Sequence, residues 1–429
     1  MNVFFYTLGC KVNQYETQSI REAFINRGYT AVSDSSVADI AVINSCTVTA
    51  ESDRKTRQAL HRLRRENPNL AIILTGCMAQ TFSGDLKELE DADIIIGNTD
   101  IEKLVSLTEQ FLKTGEKTVC VMPHEKKERY NTPDITDFAE RTRAYMKIED
   151  GCDRYCTYCI IPYARGFVRS KAKLDIKREA ENLAKKGFIE VVLVGINLSS
   201  YGKGEDLNLC DAVDAVCEVE GIKRVRLGSL EPDHISDEML QRLSLQEKFC
   251  PQFHLSLQSG CDQTLKRMNR HYDSAFYIDL VNRIRKTFEN PAVTTDIMVG
   301  FAGETEEEFF KSLEFFKKVG FAKSHVFAYS RRKGTVADKF KEQVPKSEKL
   351  KRSKMMLLAS AKSEKEFLKT QVGLTEEVLF ETFDGVTAYG YTKNYSRIAV
   401  NTKLPLDGQI KKVIITDSKD DYCIGELAF

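Results

Sequence analysis

DGCDRYCTYCIIPYARG, Asp150–Gly166, sets Cys152, Cys156 and Cys159 within eight residues and offers no fourth cysteine nearby. A structural zinc site takes four ligands, often as two C-x2-C knuckles, and a ferredoxin-type cluster is closed by four thiolates. The spacing C-x3-C-x2-C completes neither. On a 4Fe-4S cluster it would leave one iron open to a substrate or cofactor, as a catalytic zinc site keeps a position that a structural one closes. A buried or zinc-bound trio is the plainer alternative. The stretch follows RAYMKIED, the first of a series of strand-like runs. The cysteines therefore stand at the carboxyl end of a first strand, where β/α barrels carry their active sites.

Five further runs continue that series: IEVVLVGIN, KRVRLGSLEP, QFHLSLQSG, VTTDIMVGF and KSHVFAYS, most followed by helix-like stretches such as LDIKREAENLAKKG. Six β/α units in roughly 180 residues fall short of the roughly 250 of a complete eight-fold barrel, so a partial (β/α)6 barrel, open on one side, is expected over 142–345. Before it, 121–141 is polar, holds Pro133, lacks a period and reads as a linker. Residues 1–120 alternate apolar runs (VFFYTLGC, IAVINSC, AIILTGC, IIIGN) with amphipathic stretches, the pattern of a parallel α/β domain. Cys10, Cys46 and Cys77 end the first three runs. Strand carboxyl ends share one edge of a parallel sheet, so three cysteines distant in sequence can meet there. After a basic helical connector, 346–370, the period shortens. EEVLFET, VTAYGYTK, SRIAVN, IKKVIITD and CIGELAF alternate with turn residues, as in a small all-β barrel of OB type over 371–429. The chain is thus α/β with an appended β domain.

Lys+Arg and Asp+Glu both total 63 in 429 residues, so no global field draws in a polyanion and RNA would be bound by local patches. Twelve cysteines are too sparse for a disulfide scaffold. MNVFFYTLGC lacks the basic leader of a signal peptide, and no stretch approaches a membrane span. A reducing cytoplasm is the expected setting. Cys120, Cys210, Cys217, Cys250, Cys261 and Cys423 read as small buried hydrophobes.

CDRYCTYC, with Tyr158 in the aromatic place, resembles the defining C-x3-C-x-aromatic-C pattern of the radical S-adenosylmethionine superfamily. The resemblance implies that the open iron is chelated by the amino and carboxylate groups of S-adenosylmethionine, and that one electron from the cluster cleaves the sulfonium to a 5′-deoxyadenosyl radical. It also implies cofactor contacts at strand ends. Gly195 and Asn197 of LVGIN stand where the family binds the methionyl amino group, with Glu231, Gln258 and Asp296 ending further strands. Each of these equally reads as a turn cap. No catalytic residue beyond the cluster ligands is indicated.

TLGCKVNQYE, INSCTVTAESDRKTRQ and LTGCMAQ are similar to the methylthiotransferases, a resemblance that spans nearly the whole chain. It implies that Cys10, Cys46 and Cys77 hold an auxiliary 4Fe-4S cluster, the second of two, and that the terminal β domain is a TRAM domain. Lys11 and Gln14 resemble the threonylcarbamoyladenosine branch; the isopentenyladenosine branch usually has Gln-Met after the cysteine, and the branch acting on a ribosomal-protein aspartate Pro-Lys. The implied partners are the tRNA anticodon stem-loop, with adenosine 37 as target, and a low-potential electron donor, for a monomer that needs no membrane. Both sister branches remain alternatives, as does a non-catalytic iron–sulfur protein that binds RNA. Basic SDRKTRQALHRLRREN, with Arg54 and Arg57, is a candidate phosphate-binding helix, and SRRKGT with the Lys-rich stretch after it a second patch. Tyr395 and Arg397 in GYTKNYSRIAV mix stacking surface with charge as single-strand binders do, although the domain around them is acidic.

Overall fold

The computed structural model describes residues 1–82, 86–99, 101–126, 128–136, 138 and 142–428. Its first part is a six-stranded sheet, all parallel, in the order β2-β1-β3-β4-β5-β6. The strands are β1 (Asn2–Thr7), β2 (Thr30–Val32), β3 (Ile40–Ser45), β4 (Ala71–Gly76), β5 (Ile94–Ile96) and β6 (Thr118–Cys120). Helices α1 (Lys11–Asn26), α2 (Ala50–Glu66), α3 (Cys77–Thr81) and α4 (Ile101–Thr114) follow β1, β3, β4 and β5. β3 and β4 are buried at every position, which is why IAVINS and AIILTG read as unbroken apolar or small runs: parallel sheets are covered on both faces. α2 has local reasons to form. Thr49 caps it by accepting from Ser52 N–H at 3.1 Å, Glu51 and Asp53 sit in its first turn and Arg64 and Arg65 in its last, all matching the helix dipole.

Three details differ from the sequence reading. β2 and β6 extend the sheet at its two edges; at three residues each, they are too short to show a period. Of the three cysteines, only Cys46 follows its strand directly and stays outside a helix. Cys10 lies three residues past β1 as the N-cap of α1, and Cys77 opens α3.

The second part wraps six parallel staves. β7 (Arg143–Lys147), β10 (Glu190–Val194) and β11 (Arg224–Leu227) pair in the order β11-β10-β7. β12 (Ser229–Leu230), β13 (Gln252–Leu255), β14 (Ala292–Val299) and β15 (Lys323–Ala328) pair in that order. The two halves meet where Gly228 interrupts the β11–β12 stave and Val225 bridges to Phe249, leaving β7 and β15 as the free edges of the expected partial barrel. Helices α6 (Lys173–Lys185), α7 (Leu209–Cys217), α8 (Asp237–Ser244), α9 (Asp262–Arg267), α10 (Ser274–Thr287) and α11 (Glu306–Val319) lie between successive staves. The three-cysteine loop hangs between a short antiparallel pair, β8 (Glu149–Asp150) and β9 (Arg169–Ser170), with α5 (Ile161–Arg165) inside the excursion.

A 25-residue helix, α12 (Lys346–Thr370), leads to a closed five-stranded barrel in the order β16-β17-β18-β20-β19. Its strands, β16 (Thr375–Phe383), β17 (Thr387–Tyr391), β18 (Arg397–Asn401), β19 (Ile410–Ser418) and β20 (Cys423–Leu427), fall on the five predicted runs. Among the described residues of the segment between β6 and β7 there is neither helix nor strand. The segment is nonetheless anchored: Ile135 and Phe138 are buried, and Tyr130 donates to Lys147 O at 2.6 Å. Cys210, Cys217, Cys250, Cys261 and Cys423 are buried as expected, while Cys120 is half-buried at the sheet edge. No helix among the described residues is long and apolar enough to cross a membrane.

The small barrel is clamped to the large one by buried arginines. Arg224, fully buried, donates to Tyr391 O at 2.9 Å and Glu377 O at 2.6 Å, and Arg226 donates to Lys393 O at 2.9 Å. Arg224→Ala would leave two carbonyls without their donor at about 1–3 kcal/mol each. The expected result is faster hydrogen exchange across β16 and β17 with unchanged exchange in β3 and β4; equal protection of the small barrel in both proteins would contradict the clamp.

Candidate active site

Cys10, Cys46 and Cys77 converge at the carboxyl edge of three neighbouring strands, β1, β3 and β4. Glycines let them approach. A Cβ on Gly9, at φ +116°, would lie 2.9 Å from Cys46 Cβ, and Gly76, at φ +93°, turns the chain against Asn44 and Ser45 just before Cys77. Cys46 and Cys77 are buried, whereas Cys10 opens onto a cavity. Burial pushes the Cys10 thiol up and the Cys77 thiol up to about 12, with Arg165 opposing and neighbouring thiols adding to the rise. Arg165 Nε donates to Cys77 Sγ at 3.1 Å.

The second trio is pinned to the large barrel by backbone bonds. Cys152 N–H donates to Gly166 O at 3.0 Å, Thr157 N–H to Met268 O at 3.0 Å, and Cys159 N–H to Cys156 O at 2.9 Å. Arg154 Nη2 donates to both carboxylate oxygens of Asp233 at 2.7 Å, and Tyr155 takes the left-handed φ of 47° that the excursion requires. Burial drives the Cys152 thiol up and Cys159 up to about 12. Arg270 Nη1 donates to Cys156 Sγ at 3.2 Å. Each trio therefore has one buried guanidinium bonded to one of its sulfurs. Ligating sulfurs in metal sites commonly receive such hydrogen bonds, which tune the metal.

Arg165 also carries the contact between the first sheet domain and the barrel. It pairs with Glu16 and donates to Asn13 Oδ1 at 2.9 Å, both on α1. Lys147 joins from β7, with Glu16 and Asp150 each at 2.7 Å and Thr132 Oγ1 at 3.0 Å. Arg169 reaches Asp150 at 3.1 Å and Glu128 at 3.3 Å, so three cations face three carboxylates in a nearly dry seam. Burial alone would raise the Asp150 carboxyl, but Lys147, Arg165 and Arg169 hold it far below the usual carboxylate range. Neighbouring Glu149 has no such escort, and burial with Asp150 beside it pushes its carboxyl well up.

Asn197 and Glu231 apart, the residues expected to contact a cofactor, Tyr158, Gly195, Gln258 and Asp296, line two adjoining cavities. One, of about 180 Å³, is bounded by Tyr158, Cys159, Gln258, Asp296 and Tyr329. Tyr158 is held edge-on against Phe301, ring centroids 6.2 Å apart. The other, of about 450 Å³, has Cys10 and Lys11 on one wall and Gly195, His254, Asp296 and His325 on the other. Asp296 lines both. Burial lifts its carboxyl, yet the hydrogen bond and charge of His254 and the charge of His325 bring it below its ordinary value. Burial together with Arg143 and Arg226 brings Lys11 down to about 8. Gly195 backs onto Glu149, where a Cβ would sit 2.6 Å from Oε2, and that oxygen accepts Asn197 N–H at 2.7 Å. Glu149 Oε1, Asn197 Oδ1 and Gln258 Oε1 are buried acceptors without a partner. Glu231 is different: its carboxylate is taken up by Arg270, so it holds the guanidinium that meets Cys156.

The residues expected to meet RNA are not brought together. Arg54 and Arg57 line a shallow groove of about 540 Å³ on α2 with Gln58, His61, Arg62 and Arg65, and are partly paired with Glu51 and Glu88. Tyr395 instead faces the larger cavity, stacked on Tyr391 at 4.5 Å and capped by Arg143 and Arg226 at 5.0 and 4.6 Å from its centroid. Arg397 lies over Tyr389. In the SRRKGT patch, Arg331 pairs with Asp338 and Arg332 with Asp53, so Arg332 ties the barrel to α2. Sequence reasoning passed over Arg165, Arg270, His254 and His325. Arg165 lies inside the quoted motif, yet nothing local distinguishes a buried arginine from a surface one.

Residues 2–97 match a family profile described as uncharacterized protein family UPF0004, and residues 146–316 that of the radical SAM superfamily. Threonylcarbamoyladenosine tRNA methylthiotransferase MtaB of Bacillus subtilis is 37% identical over 431 residues, covering 99% of this chain and 96% of that protein. Its namesake from Aquifex aeolicus is 38% identical over 87% of this chain and 91% of its own length. The tRNA-2-methylthio-N(6)-dimethylallyladenosine synthase of Clostridium perfringens is 34% identical over 98% of this chain and 96% of its own length. Among solved structures, the radical S-adenosylmethionine methyltransferase TsrM from Kitasatospora setae, with cobalamin and a 4Fe-4S cluster bound, shares the fold. Its TM-score is 0.57 at 11% identity, covering 90% of this chain and 80% of that one.

Removing one member of a buried ion network leaves charge uncompensated at about 3–5 kcal/mol. Arg165→Gln is therefore expected to lower the unfolding free energy from anaerobic urea denaturation by that much, and adding Glu16→Gln should recover part of it. Strictly additive losses would show that the two side chains do not interact.

Proposed function

Because the chain belongs to the threonylcarbamoyladenosine tRNA methylthiotransferase family of radical S-adenosylmethionine enzymes, we propose that it converts N6-threonylcarbamoyladenosine at position 37 of tRNA to the 2-methylthio derivative. It is an enzyme that acts on tRNA and uses S-adenosylmethionine with an iron–sulfur cluster. The observation that carries the reading is the pair of adjoining cavities. One is walled by Cys159 and the other by Cys10, with Asp296 between them, so a base lying there would be flanked by both cysteine trios. Methylthiolation of an unactivated aromatic carbon needs both a means of opening the C–H bond and a sulfur source within reach.

The residues fit the cofactors. Each trio offers three sulfurs and no fourth cysteine, which suits a cluster with one iron free. The unpartnered acceptors of Glu149, Asn197 and Gln258 suit a ligand rich in donors, such as the ammonium of S-adenosylmethionine. On this reading Cys152, Cys156 and Cys159 hold the cluster that works with S-adenosylmethionine, Cys10, Cys46 and Cys77 hold a second, and Tyr158, Gly195, Asn197, Gln258 and Asp296 form the cofactor's seat. When bound, these groups supply one-electron radical chemistry at the first trio and a sulfur anchor at the second. The protein supplies the rest: Arg165 and Arg270 place positive charge and a hydrogen bond on a sulfur of each trio, and Cys46, Cys77 and Cys156 are buried while Cys10 is exposed and Cys152 and Cys159 are half-buried.

Residues 1–120 thus serve as the auxiliary-cluster domain, 142–345 as the radical barrel and 371–429 as the TRAM domain, joined by 121–141 and 346–370. Arg54 and Arg57 take phosphates of the anticodon stem-loop, while Tyr395 and Arg397 belong to the small barrel's share of the RNA surface. The monomeric enzyme works in the cytoplasm, where its tRNA is, and draws electrons from a low-potential donor.

Nucleosides from cells lacking the gene are expected to retain threonylcarbamoyladenosine and lose its 2-methylthio form by mass spectrometry; loss of the methylthio isopentenyl nucleoside instead would move the protein to the sister branch. Oxygen-free preparations should hold about eight irons per chain, against about four for a single cluster. Cys46→Ala is expected to keep 5′-deoxyadenosine formation while abolishing methylthio product, and loss of both in a folded variant would contradict a division of labour.

A further inference from the structure

The larger cavity has a charge pattern of which the proposed cofactor seat takes only Asp296. His254 of β13, Asp296 of β14 and His325 of β15 project from three adjacent strands, and one nitrogen or oxygen from each lies within 4.8 Å of the others. His254 Nε2 is 3.4 Å from Asp296 Oδ1, His254 Nδ1 is 3.0 Å from Thr294 Oγ1, and the two imidazole centroids are 5.9 Å apart. Lys11, Arg226 and Lys323 line the same cavity, Lys323 two residues before His325 on β15. Arg226 is matched by Glu190 at 3.0 Å and Lys323 by Glu364 at 2.9 Å. Lys11 has no carboxylate within ion-pair distance among the described residues; its ammonium rests 5.8 Å from the centre of the Tyr145 ring.

A divalent cation among the histidines would have three cationic side chains lining the same cavity, which disfavours it. An anion meets the opposite situation: a lysine with no carboxylate at ion-pair distance, the His325 imidazole able to donate, and the second carboxylate oxygen of Asp296 able to accept from a hydroxyl or N–H. The threonylcarbamoyl group offers that combination, a carboxylate beside a hydroxyl and amide N–H groups; an isopentenyl group offers none of it. We infer that this cavity seats the N6 substituent of the target adenosine and that Lys11, with His325, binds its carboxylate. The inference rests on the substrate proposed above and gives it a physical cause. Lys11 directly follows Cys10, so the residue that reads the substituent would travel with the wall that faces the base.

The test uses reconstituted enzyme without reductant. Its probes are anticodon stem-loops bearing N6-threonylcarbamoyladenosine, the same nucleoside with the carboxylate converted to the primary amide, or isopentenyladenosine. Affinity is read by fluorescence anisotropy, and methylthio product is measured separately after reduction. Wild-type enzyme is expected to bind the acid at least about tenfold more tightly than the amide, about 1.4 kcal/mol. Lys11→Met should bring that ratio to within about twofold by weakening the acid, and Lys11→Arg should restore most of it. Because Lys11 adjoins Cys10, His325→Gln provides an independent reading and should lower the ratio at least about threefold. A ratio unchanged in folded Lys11→Met and His325→Gln, or no preference for acid over amide in a wild-type enzyme that does methylthiolate the acid, would overturn the carboxylate site alone. Product from the isopentenyl stem-loop only would overturn the substrate assignment and this site with it.

Discussion

The buried ion network around Arg165 is the constraint on which the working geometry depends. The first sheet domain, the large barrel and the small barrel each close their own apolar cores. Hydrophobic burial therefore stabilises each part and says little about their mutual placement. Two side chains of α1 are exceptions: Tyr15 is sunk fully into the barrel core with its hydroxyl donating to Glu179 at 3.0 Å, and Val12 packs with Val192, Val194 and Tyr145. The directional contacts of α1 with β7 and the loop after it are ionic, through Glu16, Lys147, Asp150 and Arg165. Ionic pairs of this kind add little net stability, because desolvation offsets most of their attraction. Their value is directional: only one arrangement satisfies all three cations and all three carboxylates, and that arrangement sets one cysteine trio opposite the other.

The two guanidiniums on sulfur repeat one solution in two folds. Arg165 reaches Cys77 from the loop that carries the other trio, and Arg270 reaches Cys156 from the connection after α9. Each is held by a glutamate, Glu16 or Glu231, so neither is free to swing away. Glu231 thus holds Arg270, a partner that its strand-end position in SLEP did not disclose.

The cysteines and most of the strands were legible because both leave local marks. Three thiols at fixed spacing have few chemical explanations, and buried parallel strands such as IAVINS and AIILTG must be apolar or small at nearly every position. β2 and β6 left no such mark at three residues each, and α3 was hidden because CMAQT continues the apolar run of β4. The larger cavity was out of reach for another reason. His254, Asp296 and His325 come from separate strands, and only the parallel register that sets Asp296 beside His325 makes them neighbours. Tyr395 reads as stacking surface beside Arg397, and what its sequence could not show is that arginines of β7 and β11 lie over its ring.

Cys77 stands 88 residues ahead of the arginine that donates to it. All three thiols of its trio are therefore translated before that arginine. A chain ending short of α5 would crowd them at one strand edge without the guanidinium, and their deprotonation would be opposed by one another. The electrostatic setting of this strand edge is thus completed from outside its own domain, by a residue that arrives only with the opening segment of the barrel.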